Sequence, residues 1–325
     1  MNKIKSIPWI VKYKPKDFED MVFHTSIINI IKNSLDNLPH LIFYGPNGNG
    51  KSTLIKIITS TIFSPDTFKQ NVLLLSASEQ RGIGVVRREI KNFAKQSVYL
   101  NEGCFKIVVL DEVDSMSFEA QSALRRIMET YSKTTRFCFI CNSINKLSNP
   151  IVSRCVKFLF KPIPDNEIIN RLNYIAELEN LSDNKKGFIS KISKISNGDL
   201  RKAINLFEIL SLSNDDIENL SSDLDYLIGK IDPSLITNLI TCIEEIDFEQ
   251  MNEKLSEIFY EGYCAKEILE ELYDYILTNN DLTENNKKEL FINLSKIDYI
   301  TTIGGDQNLN IIKFCTNYMN LIKQN

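Results

Sequence analysis

Between residues 40 and 160 the chain alternates two hydrophobic patterns. Short continuous apolar runs occur at Leu41 to Tyr44, Val72 to Leu75, Phe105 to Leu110, Phe137 to Cys141 and Val156 to Phe160. Between them, apolar residues recur every three or four positions at Lys51 to Thr61, Val85 to Lys95 and Glu119 to Tyr131. The first pattern predicts buried strands and the second predicts helices. Their alternation predicts a parallel sheet covered by helices on both faces.

Near residue 160 the pattern changes. Lys161-Pro162-Ile163-Pro164 ends the last strand, because two prolines this close preclude ladder pairing. Asp165 reads as an N-cap, followed by a helical face of Ile168, Ile169, Leu172, Ile175 and Ala176. A second helix starts at Gly198-Asp199, with Leu200, Ala203, Ile204, Phe207 and Leu210 on its buried stripe. Asp232-Pro233 is the next break, and amphipathic helices follow, interrupted at Gly262, Asn279-Asn280 and Gly304-Gly305. The expected organisation is an α/β domain over 1–160, a small helical domain over 161–231 and an all-α domain over 232–325.

Composition narrows the function. The chain has 325 residues, 43% hydrophobic and 25% charged, the profile of a globular protein with about two or three domains. Lys plus Arg total 38 against 42 acidic residues, a net charge of -4. That balance excludes a generic polyanion binder, so contact with nucleic acid requires a local basic patch. Two histidines, His24 and His40, exclude a multi-histidine metal centre. Seven scattered cysteines argue against a disulfide framework and for a reducing, intracellular compartment. Cys138 and Cys141 form a CxxC, but inside an apolar run and with no second pair, so buried strand cysteines are expected rather than a metal site. Met1 to Ile10 lacks a long apolar segment, so no signal peptide is expected. No stretch of ~18 apolar residues predicts a membrane span.

The chemistry begins where the first strand ends. Gly45-Pro46-Asn47-Gly48-Asn49-Gly50-Lys51-Ser52, followed by Thr53 and an apolar helix, fits GxxxxGK[ST] in strand–loop–helix context. Glycines let successive N–H groups turn inward around a phosphate, and the helix N-terminus adds partial positive charge. Lys51 suits the β- and γ-phosphates, and Ser52 suits Mg²⁺. The run Phe105 to Leu110 ends in Asp111-Glu112, at the strand end where such sheets bind ligands. Asp111 suits the Mg²⁺ shell, and Glu112 suits polarising the attacking water. Asn142 ends the next strand, placed to face the γ-phosphate, although Asn is also a common turn residue there.

These residues describe an ATPase, and further segments resemble one family, the small subunits of replication factor C-type sliding-clamp loaders in the AAA+ class. Pro8-Trp9-Ile10-Val11-Lys12-Tyr13-Lys14-Pro15 resembles its PWVEKYRP segment, and Asp111-Glu112-Val113-Asp114-Ser115-Met116 its DEADSM segment. Ala123 to Ser132, Thr135-Arg136-Phe137, the SRC motif Ser153-Arg154-Cys155 and the second sensor motif Gly198 to Asn205 follow in the family's order. The resemblance covers nearly the whole chain. It implies a P-loop AAA+ domain, a helical lid domain and a helical collar domain for oligomerisation.

The resemblance also implies roles. Val11, Tyr13 and Pro15 pack around the adenine, and Arg201 touches the γ-phosphate from the lid. Arg154 is an arginine finger for the neighbouring subunit's site, where a guanidinium stabilises charge on the transferred phosphoryl group. Arg125 and Arg126 are as compatible with a solvated helix face as with a role in trans. Arg81-Gly82-Ile83 and Arg87 resemble the family's RGIxxVR segment. Arg81, Arg87 and Lys146 are expected to face DNA, with Arg88 and Lys91 equally compatible with a solvated face. Such residues contact phosphates without reading sequence. The implied cofactors are ATP and Mg²⁺. The implied partners are one large and several small homologous subunits in a heteropentamer, the ring-shaped clamp PCNA and primer-template DNA, with no membrane. Residence in the nucleus is the default, or a cytoplasmic replication site if the Ile/Asn/Lys bias marks a viral genome.

The chain departs from the family at several points. Asn47 and Asn49 replace usual loop residues, Lys14 replaces an Arg, Phe23-His24 replaces a glycine-containing turn, and Ser76 to Gln80 depart from NASDxR. Two rival readings are another AAA+ DNA motor of the branch-migration type, which would form closed homohexamers, and a scaffold that binds ATP without hydrolysing it.

Overall fold

All the expected apolar runs form strands of one sheet in the computed structural model, which describes residues 7–21, 23–77, 83–96, 105–212, 229, 231–279 and 282–323. The strands are β1 (Leu41–Tyr44), β2 (Val72–Ser76), β3 (Lys106–Asp111), β4 (Thr135–Cys141) and β5 (Val156–Leu159). Their order is β2-β3-β4-β1-β5, and every neighbouring pair is parallel. Leu41 lies opposite both Cys138 and Val156, which fixes β1 between β4 and β5.

Successive strand side chains point to opposite faces. Leu41, Phe43, Ile107, Val109, Cys138 and Ile140 therefore join a core with α2 (Thr25–Lys32) and α3 (Lys51–Ile62). Ile42, Val108, Leu110, Phe137, Phe139 and Cys141 join a second core with α5 (Ile83–Lys95), α6 (Phe118–Tyr131) and α7 (Asn149–Val152). Because both faces are covered, the runs are continuously apolar rather than alternating. The two cysteines of the CxxC lie on opposite faces, and burial pushes the Cys141 thiol up to about 12. Among the described residues no cluster of side chains suits a metal ion held by His, Cys and carboxylates.

Two short helices of this domain carry no clear signal in the pattern, α1 (Trp9–Lys12) and α4 (Pro65–Asn71). One polar residue inside an apolar run also has a structural role. Lys106 is 1% exposed, and its Nζ donates to the carbonyls of Phe93, at 2.8 Å, and Gln96. It thereby closes the C-terminal end of α5 with a cation, where the helix dipole favours one.

After the two prolines come α8 (Asp165–Leu178), α9 (Asp183–Lys186), α10 (Ile189–Ser196) and α11 (Leu200–Leu212). Asp165 is not the N-cap of α8. Pro164, with φ -60 and ψ 145, takes that position, and Asp165 becomes the first helical residue. Its charge still suits the first turn. Asp199 does cap α11, its Oδ1 accepting from the N–H groups of Arg201 (2.8 Å) and Lys202 (3.1 Å).

The chain divides into two compact units, Met1–Ser213 and Asn214–Asn325. The second contains α12 (Pro233–Glu244), α13 (Phe248–Tyr260), α14 (Ala265–Thr278), α15 (Glu284–Ile303) and α16 (Gln307–Lys323). Leu239, Ile243, Leu255, Ile268, Leu272 and Phe314 form its core. Asp232, Asp247 and Thr283 cap three of its helices through side-chain oxygens. Tyr260, Tyr299, Ile303 and Leu309 project apolar surface from this unit.

Candidate functional site

Because the strands are parallel, the C-terminal ends of β1, β3 and β4 lie along one edge of the sheet. The loop after β1 turns there with positive φ at Gly45 (141), Gly48 (73) and Gly50 (87). A Cβ at Gly45 would strike the Phe160 carbonyl, and one at Gly48 the Asp199 carboxylate. The loop is thus a backbone cradle that larger residues would fill.

Lys51 heads α3, and its Nζ donates to the carbonyls of Gly45 (2.7 Å) and Pro46 (2.5 Å). Burial is the main influence on its ammonium and lowers its pKa, with Asp111 opposing. Ser52 Oγ donates to Asp111 Oδ2 at 2.9 Å. The other Asp111 oxygen, Oδ1, accepts from the Glu112 N–H at 2.9 Å. Glu112 adopts left-handed backbone angles, φ 56 and ψ 39. A non-glycine residue there is strained by roughly 1–3 kcal/mol, and such strain collects at functional sites. Asn142 follows β4, is exposed, and donates its N–H to Asp114 Oδ2 at 3.3 Å.

A cavity of about 460 Å³ opens over these groups. It brings together Val11, Tyr13, Pro15, Asn47, Gly48, Asn49, Gly50, Lys51, Ser52, Thr53, Asp111, Glu112, Asn142 and Arg201 from the sequence-based expectation. Gly45 and Pro46 lie behind it, as the acceptors of Lys51. Residues the sequence reading did not assign also line it, including Asp20, Met21, Phe23, Lys56, Asp114, Ile163, Arg171, Leu200 and Ile204. Lys14, noted only as a departure, lines it too. Asn49 is 1% exposed, and its Nδ2 donates to the Lys161 carbonyl at 3.0 Å.

The N-terminal segment reaches the cavity by docking on the helices after residue 164. Trp9 N–H donates to Glu208 Oε2 at 3.0 Å, and the Trp9 ring meets Phe207 edge-on at 5.8 Å. Lys12 Nζ and Tyr13 Oη both donate to Glu179 Oε1, at 2.6 and 2.5 Å. Arg171 Nη2 donates to the Tyr13 carbonyl at 2.8 Å. These hydrogen bonds hold the Glu179 carboxyl below the usual range. Desolvation, with help from Glu179, raises the Tyr13 phenol.

Arg154 does not line this cavity. Its Nη2 pairs with Glu129 Oε1 at 2.7 Å, and its Nη1 donates to the Pro150 carbonyl at 2.6 Å. Arg125 Nε pairs with the same Glu129 oxygen at 3.0 Å, and the two arginines lower the carboxyl's pKa, Arg125 first. On α5, Arg88 and Lys91 are exposed, whereas Ile90 and Ala94 are buried. Lys146 is exposed, at the end of a short 3-10 turn over Ile144–Lys146. Arg81 lies outside the described residues, as do Ser78 to Gln80 of the divergent segment, and Arg87 is described only by its place on α5.

The donor chemistry fits a nucleotide and its cation. A hydroxyl and a carboxylate side by side are hard oxygen ligands of the kind Mg²⁺ takes, and the glycine cradle with Lys51 suits phosphates. A loop of this kind on an inner strand of a five-stranded parallel sheet, with an acid pair two strands away, defines a P-loop ATPase. Comparison with known proteins agrees. Residues 41–163 match the ATPase family associated with various cellular activities (AAA), and residues 170–212 match the RCF1/5-like AAA+ ATPase lid domain. Residues 231–317 match the replication factor C C-terminal domain.

Human replication factor C subunit 4 is 37% identical, covering 99% of this chain and 91% of its own length. The Arabidopsis thaliana subunit 4 is 38% identical, covering 94% and 93%. Subunit 2 of Saccharomyces cerevisiae is 35% identical, covering 94% and 90%. Among solved structures, a point variant of Thermotoga maritima RuvB superposes with a TM-score of 0.53 at 18% identity, covering 72% of this chain and 80% of its own, a likeness of fold. The chain belongs to the replication factor C family, and it is an AAA ATPase that acts within a multi-subunit clamp loader. No helix among the described residues is long and apolar enough to cross a membrane.

Proposed function

We propose that this chain binds ATP with Mg²⁺ at the cavity above β1, β3 and β4. In this reading it hydrolyses ATP within a heteropentamer of one larger and several smaller homologues, so as to open PCNA and load it onto primer-template DNA. The N–H groups of the Gly45–Gly50 loop and the Lys51 ammonium bind the polyphosphate, and Val11, Tyr13 and Pro15 enclose the adenine. Lys51 then exchanges the Gly45 and Pro46 carbonyls for phosphate oxygens. Ser52 and Asp111 hold the Mg²⁺, which when bound neutralises charge on the phosphates. Glu112 accepts a proton from the attacking water, and Asn142 orients that water. Arg201 reaches the terminal phosphate from α11.

The observation that carries the assembly reading is the position of Arg154. Outside its own cavity and on the surface beside Glu129, it suits service as the finger of a neighbouring subunit. The apolar surface at Tyr260, Tyr299 and Ile303 suits a collar built from the helices of residues 232–325, after a lid spanning 161–231 and an ATPase domain spanning 1–160. Arg81, Arg87, Arg88, Lys91 and Lys146 supply phosphate contacts to duplex DNA. Each chain adds few such contacts, which reconciles DNA binding with a net charge of -4. A clamp loader of this kind works at sites of replication, in the nucleus by default or at a cytoplasmic replication site if the genome is viral.

The relatives that span the chain are replication factor C subunits, which favours this reading over another AAA+ motor. The test is the native mass and composition of the complex purified through a tag on this chain. A five-subunit assembly with one larger homologue, retaining the clamp when ATP is present, is expected. A homohexamer would sink the proposal.

A further inference from the structure

The cavity carries a positive charge that no motif of the site explains. Lys56 lies four residues after Ser52 and three after Thr53, so the three share one face of α3. It lines the cavity together with Lys14 from the N-terminal segment and Arg201 from α11. These three cations come from three separate pieces of the chain. The charges acting on Lys14 are those of Lys56 and of Arg201. All are positive, and together with burial they lower the Lys14 pKa.

Apart from Glu112, the acids that line the cavity act on other groups. Asp111 and Asp114 act on Lys51. Asp20 accepts the N–H groups of Lys16 and Asp17. Cations that line one cleft repel, and a folded chain keeps such an arrangement where an anion fills the gap.

We infer that Lys56 and Lys14 form a second phosphate clasp of this site, gripping the polyphosphate of a nucleoside di- or triphosphate from the adenine side. The inference rests on the nucleotide reading of the cavity; it adds Lys56, which none of the motifs contains, and gives a role to Lys14, which stands where the resembling segment has an Arg. Lys56 sits about one helical turn (~5.4 Å) along α3 from Ser52, away from Lys51, which serves the outer phosphates. The clasp therefore serves the inner phosphates, and ADP engages it as ATP does. It also has a mechanical consequence. Lys14 belongs to a segment docked on the helices after residue 164, whereas Lys56 belongs to the sheet domain. Like charges push these pieces apart, and a polyanion between them draws them together.

The test is nucleotide affinity and ligand-free thermal stability of the full chain, wild type against Lys56→Gln and Lys56→Arg. For Lys56→Gln, losing one charge-assisted phosphate contact should weaken ADP and ATP by roughly tenfold, leave adenosine binding unchanged, and raise the ligand-free melting temperature. Lys56→Arg should keep most of the affinity. A packing role would lower stability and weaken adenosine as much as ADP, and that result overturns the clasp. Unchanged ADP affinity in Lys56→Gln overturns it equally. If instead Lys51→Ala bound ATP as wild type does, the nucleotide reading itself would fail and take this inference with it.

Discussion

Ser52 and Asp111 meet across the sheet edge, the hydroxyl donating to Asp111 Oδ2 at 2.9 Å, although 59 residues separate them in the chain. On the proposed function, this pair holds the cation against the phosphates. Its neighbour Glu112 is held by a strained backbone rather than by a side-chain bond. Replacing Glu112 with Gln should keep ATP binding and cut hydrolysis by about 10²–10⁴-fold, the usual weight of a general base. Single-turnover hydrolysis in the assembled complex measures this. Hydrolysis at the wild-type rate would move the base elsewhere.

Arg154 shares Glu129 with Arg125 on the surface. An exposed pair of this kind competes with water and is weak, so Glu129 releases the guanidinium easily. Arg154→Ala should therefore leave this chain's stability and ATP binding nearly unchanged. At the adjacent subunit's site it should cost about 10³-fold in hydrolysis. Reconstituting the complex with that neighbouring site as its sole competent one makes the effect visible. Unchanged turnover there would reject the finger assignment.

Gly48 faces the carboxylate that caps α11. Gly48→Ala introduces a Cβ at φ 73 and collides with Asp199, so stability should fall by about 1 kcal/mol or more. Asp199→Ala removes the cap at about 1 kcal/mol. The double variant should be more stable than the sum of the two losses predicts, because the clash disappears with the carboxylate. Denaturant melts of all four proteins test the coupling. Simple additivity would mean the loop and α11 do not touch in solution.

Glu179 fastens the N-terminal segment through Lys12 and Tyr13. Glu179→Ala should raise the ATP concentration needed for half-maximal hydrolysis several-fold, by loosening the adenine wall, with a smaller effect on the maximal rate. Steady-state titration separates the two parameters. An effect confined to the maximal rate would contradict the role.

His40 gives the pH dependence of stability a sign. Burial, then the nearby Arg136, depresses its pKa from 6.5 to about 4, while its Nδ1 accepts the Phe137 N–H at 3.1 Å. The unfolded chain thus binds a proton that the folded chain refuses between those two values. The associated stability is fully present above about pH 6.5 and is lost as pH falls toward 4. His40→Gln should flatten that part of the stability profile. A profile unchanged from wild type would show that His40 does not titrate this way.

Much of this was legible because it is local. The loop Gly45 to Ser52, the acid pair after an apolar run, and the strand–helix alternation are patterns within ten or twenty consecutive residues. The helix start at Gly198-Asp199 and the break at Asp232-Pro233 are legible for the same reason, since a capping side chain reaches only two or three residues onward. Asp165 was misplaced by one position because Pro164 adopts extended angles equally suited to the cap. α4 escaped because its seven residues bury little and show no apolar stripe.

The order of residues along the chain is enough to specify a P-loop ATPase, since phosphate binding by a glycine loop and its helix is a short-range backbone property. It does not specify who stands opposite that loop. Lys56 reads as an ordinary solvated helix position until folding sets Lys14 and Arg201 before it. Glu179 is 166 residues from Tyr13, and no periodicity links them. Such pairings follow from how α1 packs on α11 and how the strands order themselves, which burial over the whole domain selects, so only the folded chain reveals them.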